Sequence, residues 1–261
     1  MLSLEAIERL KAIAAGRRPF LLATDLDGTL APIVETPGDA RVPPATLAVL
    51  DRLAPAIRVA VITGRDLNTA RRMVASEHII IVGSHGLETS GEDGLLPGVD
   101  RLGLAAALER VEQQVISAVP SAFLHVERKA ISTAFHFRQT PELEQPLRRA
   151  LAGLPASLRL REGRMVLEVL PNARGGKDQA LRAIANHLKV KTILAMGDDA
   201  TDVAMFRAAR ELEPGGVTVL LVGVSGGTET PAAIAELSDI LLRSPDEALE
   251  ALETVARALG V

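Results

Sequence analysis

The sequence predicts an α/β protein, with a doubly wound parallel sheet as its core and a smaller α+β unit inserted into that core. Short apolar runs alternate with segments of helical periodicity in both halves of the 261-residue chain. These runs are apolar on both faces, which is typical of parallel strands covered by helices on two sides. A stretch with paired, alternating strands lies between the two halves. An interrupted doubly wound sheet accounts for all three observations.

The first half begins with an amphipathic helix, in which Leu4, Ile7, Leu10 and Ile13 recur at helical spacing. Acidic residues among them, beginning at Glu5, argue against a secretory or transit peptide. The other elements of this half follow in alternation: a strand over 19–23, a helix over 45–53, a strand over 57–63, a helix over 67–74 and a strand over 79–82.

The alternation resumes after residue 175. The expected elements are a helix over 177–188, a strand over 192–196, a helix over 201–209, and strands near 217–222 and 239–242. The last helix begins at Ser244-Pro245-Asp246-Glu247, a sequence that predicts a capping box with proline at the first helical position.

The middle of the chain predicts a separate unit over about 88–172, so that 1–87 and 173–261 form the core. Its expected elements are a helix over 102–118, strands over 123–128 and 131–138, a helix over 141–151, and strands over 157–160 and 164–170. Alternation along the first of these strands places Glu127 and Lys129 on one face of the sheet. The segment 171–176, rich in glycine and ending at Gly176, is the expected return hinge.

Composition excludes several classes of protein. The chain has no cysteine, which rules out disulfides, thiolate metal sites and a cysteine nucleophile and is compatible with a reducing cytoplasm. A net charge of −4, with no tryptophan or tyrosine and five phenylalanines, gives little basis for binding nucleic acid. No apolar run approaches the roughly 20 residues that a membrane span needs. We therefore expect a cytoplasmic protein with no membrane and no nucleic-acid partner.

Two acidic motifs follow predicted strands. Asp25 and Asp27 come after the first strand, and Asp198 comes after the strand over 192–196. If both strands are central and parallel, these carboxylates meet at one edge of the sheet, where ligands of such folds bind. Carboxylates repel one another without a cation among them, and oxygen ligands favour Mg²⁺. Asp199 and Asp202 are either part of this group or caps of the following helix.

Two further motifs complete a site for a phosphate group. Thr63-Gly64-Arg65 ends a predicted strand and offers a hydroxyl and backbone N–H groups. Gly175-Gly176-Lys177 opens a predicted helix and offers backbone donors and a cation. Each motif alone is equally typical of a turn or a solvated lysine, but their order along the chain favours phosphate chemistry.

These residues resemble the motifs of the haloacid dehalogenase superfamily of phosphohydrolases, and within it those of the trehalose-6-phosphate phosphatases. The resemblance spans nearly the whole chain and implies a Rossmann-like core with a cap that selects the substrate. It rests on Asp25-Leu26-Asp27-Gly28-Thr29-Leu30, Ala31-Pro32-Ile33-Val34, Thr63-Gly64-Arg65, Gly83-Ser84-His85-Gly86, Val126-Glu127-Arg128-Lys129, His136-Phe137-Arg138, Leu167-Glu168-Val169, Lys177 and Gly197-Asp198-Asp199-Ala200-Thr201-Asp202.

The resemblance implies a role for each matching residue. Asp25 would be the nucleophile that forms an aspartyl-phosphate, and Asp27 the general acid and then base. Mg²⁺ would be held by the side chains of Asp25 and Asp198 and by the backbone carbonyl of Asp27. Thr63 and Lys177 would bind the phosphoryl group, and Gly64 and Arg65 would also bind the substrate. The residues implied to hold the sugar are Glu127, Lys129, Arg138 and Glu168, and those implied to support the metal ligands are Asp199 and Asp202.

The chain departs from the family pattern at two positions and leaves some alternatives open. Asp178 stands where a glycine is usual, and Val203 where an acidic residue is usual. The expected substrate is trehalose 6-phosphate, with sucrose phosphate or another sugar phosphate as the alternative. A phosphomutase, a phosphoryl-accepting signalling domain and a silent partner of a trehalose-phosphate synthase are further readings, and association with such a synthase also remains open.

Overall fold

The computed structural model describes residues 1–90, 101–119, 124–129, 131–163, 165–173, 175–225 and 230–261. The helices are α1 (Leu4–Ala14), α2 (Pro44–Leu53), α3 (Leu67–Val74), α4 (Arg101–Ala118), α5 (Glu144–Ala150), α6 (Lys177–His187), α7 (Ala200–Arg210), α8 (Ala232–Leu237) and α9 (Pro245–Leu259). The strands are β1 (Phe20–Thr24), β2 (Arg58–Ile62), β3 (Ile80–Gly83), β4 (Glu88–Thr89), β5 (His125–Arg128), β6 (Thr133–His136), β7 (Leu158–Gly163), β8 (Val166–Pro171), β9 (Thr192–Gly197), β10 (Thr218–Val224) and β11 (Ile240–Leu242).

The chain divides into two compact units. The first comprises Met1–Pro97 and Gly175–Val261, and the second comprises Gly98–Arg174. The sequence places the first boundary at residue 88, whereas β4 pairs with β3 in the sheet of the first unit. A two-residue strand is too short to show periodicity, so the sequence gives no signal for it.

The first unit is built on a sheet in which the described residues form seven strands, in the order β11-β10-β9-β1-β2-β3-β4. All neighbours pair in parallel except β3 and β4. The chain winds from β1 outward through β2 and β3, and later from β9 outward through β10 and β11. The predicted α/β fold class is confirmed, and β1 lies at the centre, flanked by β2 and β9.

Both faces of this sheet are buried. On β1, Phe20 and Leu22 pack into one apolar cluster with side chains of α1, α2, α3 and α9. Leu21 and Ala23 point to the other face and pack with side chains of α6, α7 and α8. Helices on both faces leave only the edges of the sheet open to solvent, so the carboxyl ends of the parallel strands are free to form a site.

The start of α9 only half agrees with the sequence prediction. Ser244 accepts a hydrogen bond from the backbone N–H of Glu247 at 3.3 Å, and Pro245 occupies the first turn. The capping box also predicts a hydrogen bond from the backbone N–H of Ser244 to the Glu247 carboxylate, and this prediction is wrong. The carboxylate accepts instead from the backbone N–H and the guanidinium of Arg243. An adjacent cation offers a carboxylate a stronger partner than the neutral N–H of the N-cap residue.

The second unit contains an antiparallel sheet in the order β5-β6-β8-β7, together with α4 and α5. Phe135, Leu167 and Val169 are buried on one face of this sheet. The opposite face is polar, since the paired positions Glu127, Ala134, Glu168 and Arg161 follow one another across the four strands. Parts of the predicted strands over 123–128 and 164–170, and Arg174 in the predicted hinge, lie outside the described residues.

No helix in the described part of the chain is both long and apolar enough to pass through a membrane.

Candidate active site

The site begins where β1 ends at the centre of the sheet. Asp25 follows β1 directly, and its backbone N–H donates to the carbonyl of Met196 on β9 at 2.9 Å. The chain then turns at Gly28, whose φ of +85° falls in the left-handed region. A Cβ atom at Gly28 would lie 2.1 Å from Oδ2 of Asp198, so this turn requires glycine both for its backbone conformation and for the approach of Asp198.

A buried lysine connects the two acidic motifs. The side chain of Lys177, at the start of α6, is 1% exposed. Its Nζ lies 2.7 Å from Oδ1 of Asp25, 2.9 Å from Oδ1 of Asp202 and 3.8 Å from Oδ1 of Asp199. The structure therefore brings Asp25 and Lys177, predicted from separate motifs, into direct contact.

Asp202 organises the loop that carries Asp198. Its Oδ2 accepts hydrogen bonds from the backbone N–H groups of Asp198 at 3.0 Å and Asp199 at 3.1 Å. Asp199 in turn caps α7 by accepting from the backbone N–H groups of Thr201 and Asp202. The two readings of Asp199 and Asp202 thus both hold, because each residue caps the helix and also lies within 4 Å of Lys177.

Burial and charge shift the pKa values of this cluster. Burial raises the pKa of Asp25 to about 6, although Lys177 acts against the rise. Burial also raises the pKa of Asp198 to about 6, with repulsion from Asp202 and Asp199 contributing. The pKa of Lys177 is raised, because the surrounding carboxylates outweigh the effect of its burial. Carboxylates that are costly to ionise when buried together are stabilised by a cation.

Three carboxylates lie close enough together to share a metal ion. Oxygen atoms of Asp25, Asp198 and Asp202 are all within 4.8 Å of one another. Asp202 already uses Oδ1 for Lys177 and Oδ2 for two backbone N–H groups. Asp198 accepts at Oδ1 from the Thr29 hydroxyl at 2.8 Å. The donor set consists of hard oxygens alone, which suits a cation such as Mg²⁺, and Asp25 and Asp198 are the better-placed ligands.

Asp27 does not belong to this group of three carboxylates and pairs with Arg65 instead. Arg65 donates from Nε to Asp27 Oδ2 at 2.6 Å and from Nη2 to Asp27 Oδ1 at 2.7 Å. These hydrogen bonds raise the pKa of Arg65. The backbone N–H of Arg65 donates to the hydroxyl of buried Thr63 at 3.2 Å. The sequence suggests a substrate role for Arg65, whereas in this structure its guanidinium binds Asp27.

A cleft of about 490 Å³ brings the predicted residues of the first unit together. The predicted residues in its lining are Asp25, Asp27, Thr63, Gly64, Arg65, Lys177, Asp198 and Asp199. Sequence reasoning missed four other lining residues, namely Ile33, Val34, Ala40 and His85. The Gly83-Ser84-His85-Gly86 motif was a signal for His85, and the Ala31-Pro32-Ile33-Val34 motif was a signal for Ile33 and Val34, although no role was assigned to these residues.

The polar face of the second unit contains three of the four predicted sugar-binding residues. Glu168 is buried and accepts from Ser132 Oγ at 2.6 Å, Lys129 Nζ at 3.3 Å and Arg161 Nε at 3.1 Å. These partners lower the pKa of Glu168, although its burial acts in the opposite direction. Glu127 lies 3.8 Å from Lys129.

Three polar residues of this face were missed, and one predicted residue stands apart. Ser132 and Arg161 contact Glu168, and Nε2 of His136 lies 2.9 Å from Oε2 of Glu127. Alternation along a predicted strand was the only signal for Ser132, whereas His136 belongs to the His136-Phe137-Arg138 motif and Arg161 lies just beyond the predicted strand over 157–160. Arg138 is exposed in the turn after β6 and makes no hydrogen bond or ion pair to another residue that the structure describes.

The two departures from the family pattern have local explanations. Asp178 lies in the first turn of α6, where a negative charge is favourable. A Cβ at Gly176 would lie 2.2 Å from Oδ1 of Asp178, so the two residues are in close contact. Val203 on α7 packs against the apolar cluster between the sheet and α6, α7 and α8.

Proteins described as trehalose-phosphate phosphatases are among the known proteins that are similar to this chain. The family model described as trehalose-phosphatase matches residues 23–239. A probable trehalose-phosphate phosphatase of Sinorhizobium fredii is 33% identical over 235 residues, which cover 87% of this chain and 84% of the relative. A trehalose-phosphate phosphatase of Mycolicibacterium paratuberculosis is 33% identical over 260 residues, which cover 94% of this chain and 64% of the relative. The crystal structure of an Aspergillus fumigatus trehalose-6-phosphate phosphatase superposes with a TM-score of 0.65 at 22% identity, covering 96% of this chain and 97% of the other.

Proposed function

Because the chain belongs to the trehalose-phosphatase family and is a phosphatase, we propose that it hydrolyses trehalose 6-phosphate to trehalose and phosphate. The observation that carries this proposal is the contact of buried Asp25 with Lys177, next to Asp198, in the cleft of the first unit. A carboxylate held beside a cation suits attack on a phosphate group, because the cation offsets the repulsion between the two anions.

The first chemical step transfers the phosphoryl group to Asp25. An oxygen of the Asp25 carboxylate attacks phosphorus, the bond from phosphorus to the sugar oxygen breaks, and Asp27 gives its proton to that oxygen. In the second step a water molecule loses a proton to Asp27 and attacks the same phosphorus. Phosphate leaves, and the Asp25 carboxylate is regenerated. Thr63 and Lys177 bind the phosphoryl oxygens throughout.

Mg²⁺ fits the oxygen donors of this site. The side chains of Asp25 and Asp198 and the backbone carbonyl of Asp27 would hold the ion. When bound, Mg²⁺ supplies positive charge that neutralises the phosphoryl oxygens and the crowded carboxylates. Asp202 and Asp199 would keep Asp198 and Lys177 in place through the hydrogen bonds described above.

The pairing of Asp27 with Arg65 defines one condition for the acid step. Arg65 donates to both oxygens of the Asp27 carboxylate, whereas a general acid needs an oxygen that is free to reach the leaving group. We therefore infer that Arg65 moves from Asp27 to the substrate phosphate when the substrate binds. The same guanidinium then has two roles, first as the partner of Asp27 that the structure shows and then as the substrate ligand that the sequence predicts.

The second unit is proposed to be the cap that recognises the sugar. Glu127, Lys129 and Glu168 share one face of its sheet, and Arg138 presents an unpaired guanidinium among the described residues. The chain has no tryptophan or tyrosine, so sugar hydroxyls would be recognised mainly through hydrogen bonds to charged groups. Such sites discriminate between sugars, because a misplaced hydroxyl leaves buried polar groups unpaired.

The proposal also concerns location and partners. We propose that the protein is located in the cytoplasm and that it associates with a trehalose-phosphate synthase. Co-purification of a tagged chain with the synthase from native cells, with an unrelated tagged phosphatase as control, tests the second point. Absence of the synthase from the purified material would contradict it.

The test of the function is a panel of sugar phosphates at equal concentration. The panel contains trehalose 6-phosphate, sucrose 6-phosphate and glucose 6-phosphate, with released phosphate and the products measured with Mg²⁺ and after chelation. We expect the highest kcat/KM for trehalose 6-phosphate and loss of activity without metal. A higher kcat/KM for sucrose 6-phosphate would make that compound the substrate instead of trehalose 6-phosphate. Transfer of phosphate between hydroxyl groups would indicate a phosphomutase. No release of phosphate from any member of the panel would favour a silent partner of the synthase.

A further inference from the structure

A buried carboxylate lies behind the cleft and has no part in the chemistry proposed above. Glu88, on the two-residue strand β4, is 3% exposed. Its Oε2 accepts two hydrogen bonds, from the backbone N–H of Leu67 at 3.2 Å and from the hydroxyl of Ser84 at 2.7 Å. A buried carboxylate needs such partners, and these two come from different loops.

The first loop is the one that carries Thr63 and Arg65. Leu67 is the first residue of α3 and directly follows this loop. The second loop is the turn Ser84-His85-Gly86, in which all three residues have positive φ values, of 51°, 52° and 96°. Two consecutive residues other than glycine rarely adopt this conformation, so the surrounding contacts must hold the turn in place.

Main-chain hydrogen bonds join the turn to the first loop. The N–H of Ser84 donates to the carbonyl of Arg65 at 2.7 Å, and the N–H of His85 donates to the carbonyl of Thr63 at 3.0 Å. The position of Arg65, and through it that of Asp27, therefore depends on the turn that Glu88 holds.

The turn Ser84-His85-Gly86 also packs closely against two glycines of the site, Gly64 and Gly176. A Cβ at Gly64 would lie 2.6 Å from Cε1 of His85, and a Cβ at Gly86 would lie 2.8 Å from the carbonyl oxygen of Gly176. Gly176 directly precedes Lys177. A shift of the turn would therefore affect both the Arg65 loop and the residue before the lysine that contacts Asp25.

We propose that Glu88 is a positioning residue of the active site, which aligns Arg65 and Asp27 through Ser84 and the N-terminus of α3. The inference rests on the proposed function, because it concerns proton delivery to a sugar leaving group. Loss of the Glu88 contacts should misplace Asp27 while Asp25 and Asp198 remain in place at the ends of β1 and β9. The effect should thus be larger for a sugar phosphate than for p-nitrophenyl phosphate, whose leaving group needs no proton.

The experiment compares Glu88→Met, Glu88→Gln and Ser84→Ala with the unaltered protein. Glu88→Met keeps the side-chain length but removes the acceptor, Glu88→Gln keeps an acceptor oxygen, and Ser84→Ala removes one of the two donors. kcat and KM are measured for p-nitrophenyl phosphate and for the sugar phosphate that the unaltered protein hydrolyses best. The unaltered protein thereby tests the proposed function separately, and the variants test only the role of Glu88.

We expect Glu88→Met to lower kcat/KM for the sugar phosphate by about tenfold or more and that for the aryl phosphate by about threefold at most. Glu88→Gln should restore most of the activity, and Ser84→Ala should show a smaller loss with the same preference. If Glu88→Met does not fold, Glu88→Gln and Ser84→Ala decide the question.

The matched control is Asp239→Leu. Asp239 also accepts a hydrogen bond from a backbone N–H, that of Leu221 at 2.8 Å, but it does not line the cleft. A purely structural role for Glu88 predicts that both variants melt earlier and that neither changes kcat/KM of the folded protein. Equal losses on both substrates, or a Ser84→Ala enzyme identical to the unaltered protein, would overturn the proposal.

Discussion

Arg65 binds both carboxylate oxygens of Asp27, with donor to acceptor distances of 2.6 and 2.7 Å. Such a bidentate pair fixes the orientation of the carboxylate. Asp27 and Asp25 are two residues apart in the sequence, yet they face different cations, Arg65 and Lys177. This difference in environment separates the proposed acid from the proposed nucleophile.

The role of Asp27 can be tested through the leaving group. Asp27→Asn removes the proton donor, and a sugar alkoxide leaves poorly without a proton, whereas a nitrophenolate does not need one. We expect a loss of about a hundredfold or more in kcat for trehalose 6-phosphate and a much smaller loss for p-nitrophenyl phosphate. Steady-state kinetics on both substrates measure this, and equal losses would contradict the acid role.

The raised pKa of Asp198 predicts how stability depends on pH in the chelated protein. The folded value of about 6 lies above the ordinary value of 3.8, so the folded state binds more protons between these pH values. Stability therefore falls as pH rises from about 4 to about 6, and the cost of the ionised group is complete above about pH 6. Asp198→Asn, which does not titrate, should be more stable than the unaltered protein at pH 7.5, with the difference shrinking toward pH 4.

Urea unfolding with and without Mg²⁺ checks this prediction. In chelator, the advantage of Asp198→Asn should grow with pH between about 4 and 6. With Mg²⁺, the order at pH 7.5 should reverse, because the metal stabilises only a protein that retains its ligand. A variant that gains as much stability from Mg²⁺ as the unaltered protein would remove Asp198 from the metal site.

Gly28 and Gly153 have the same φ, so substitutions at these two positions distinguish the cost of backbone strain from the cost of a steric clash. Gly28 and Gly153 both have φ of +85°, but only Gly28 has an atom close to its missing Cβ, Oδ2 of Asp198 at 2.1 Å. Gly153→Ala should cost about 1 kcal/mol of stability through the backbone alone and leave kcat unchanged. Gly28→Ala should cost more than that and abolish most of the turnover, because Asp198 must move. Equal melting temperatures and equal kcat values for the two variants would contradict this account.

Arg161 is expected to act through Glu168. Its guanidinium binds the buried carboxylate together with Ser132 and Lys129. Arg161→Met leaves that carboxylate with fewer partners, so we expect KM for trehalose 6-phosphate to rise by about three- to tenfold, with the constants for p-nitrophenyl phosphate unchanged.

Arg159→Met, two positions away on the same strand, is the control for Arg161→Met and should behave like the unaltered protein. A similar rise in KM for both variants would show that charge on this strand, rather than the contact with Glu168, is responsible.

The parts of the molecule that the sequence predicts well depend on local pattern. The strands that precede Asp25 and Asp198 are largely apolar runs, so the ends of these strands, and the site at those ends, follow from periodicity and from the rules for parallel sheets. The parts it misses depend on contacts between distant segments. The pair of Glu168 with Arg161 requires the register of β7 against β8, and the role of Glu88 requires a strand of two residues. Neither carries a signal in a single sequence.

The central claim is that Asp25, held by Lys177, is the nucleophile for hydrolysis of trehalose 6-phosphate. The most direct measurement is the release of phosphate and trehalose from this substrate, with Mg²⁺, by the unaltered protein and by Asp25→Asn. We expect equal amounts of the two products from the unaltered protein, and a loss of about a thousandfold or more in the variant, because an amide cannot attack phosphorus. Substantial turnover by Asp25→Asn, with mass spectrometry showing that the asparagine has not deamidated, would contradict it.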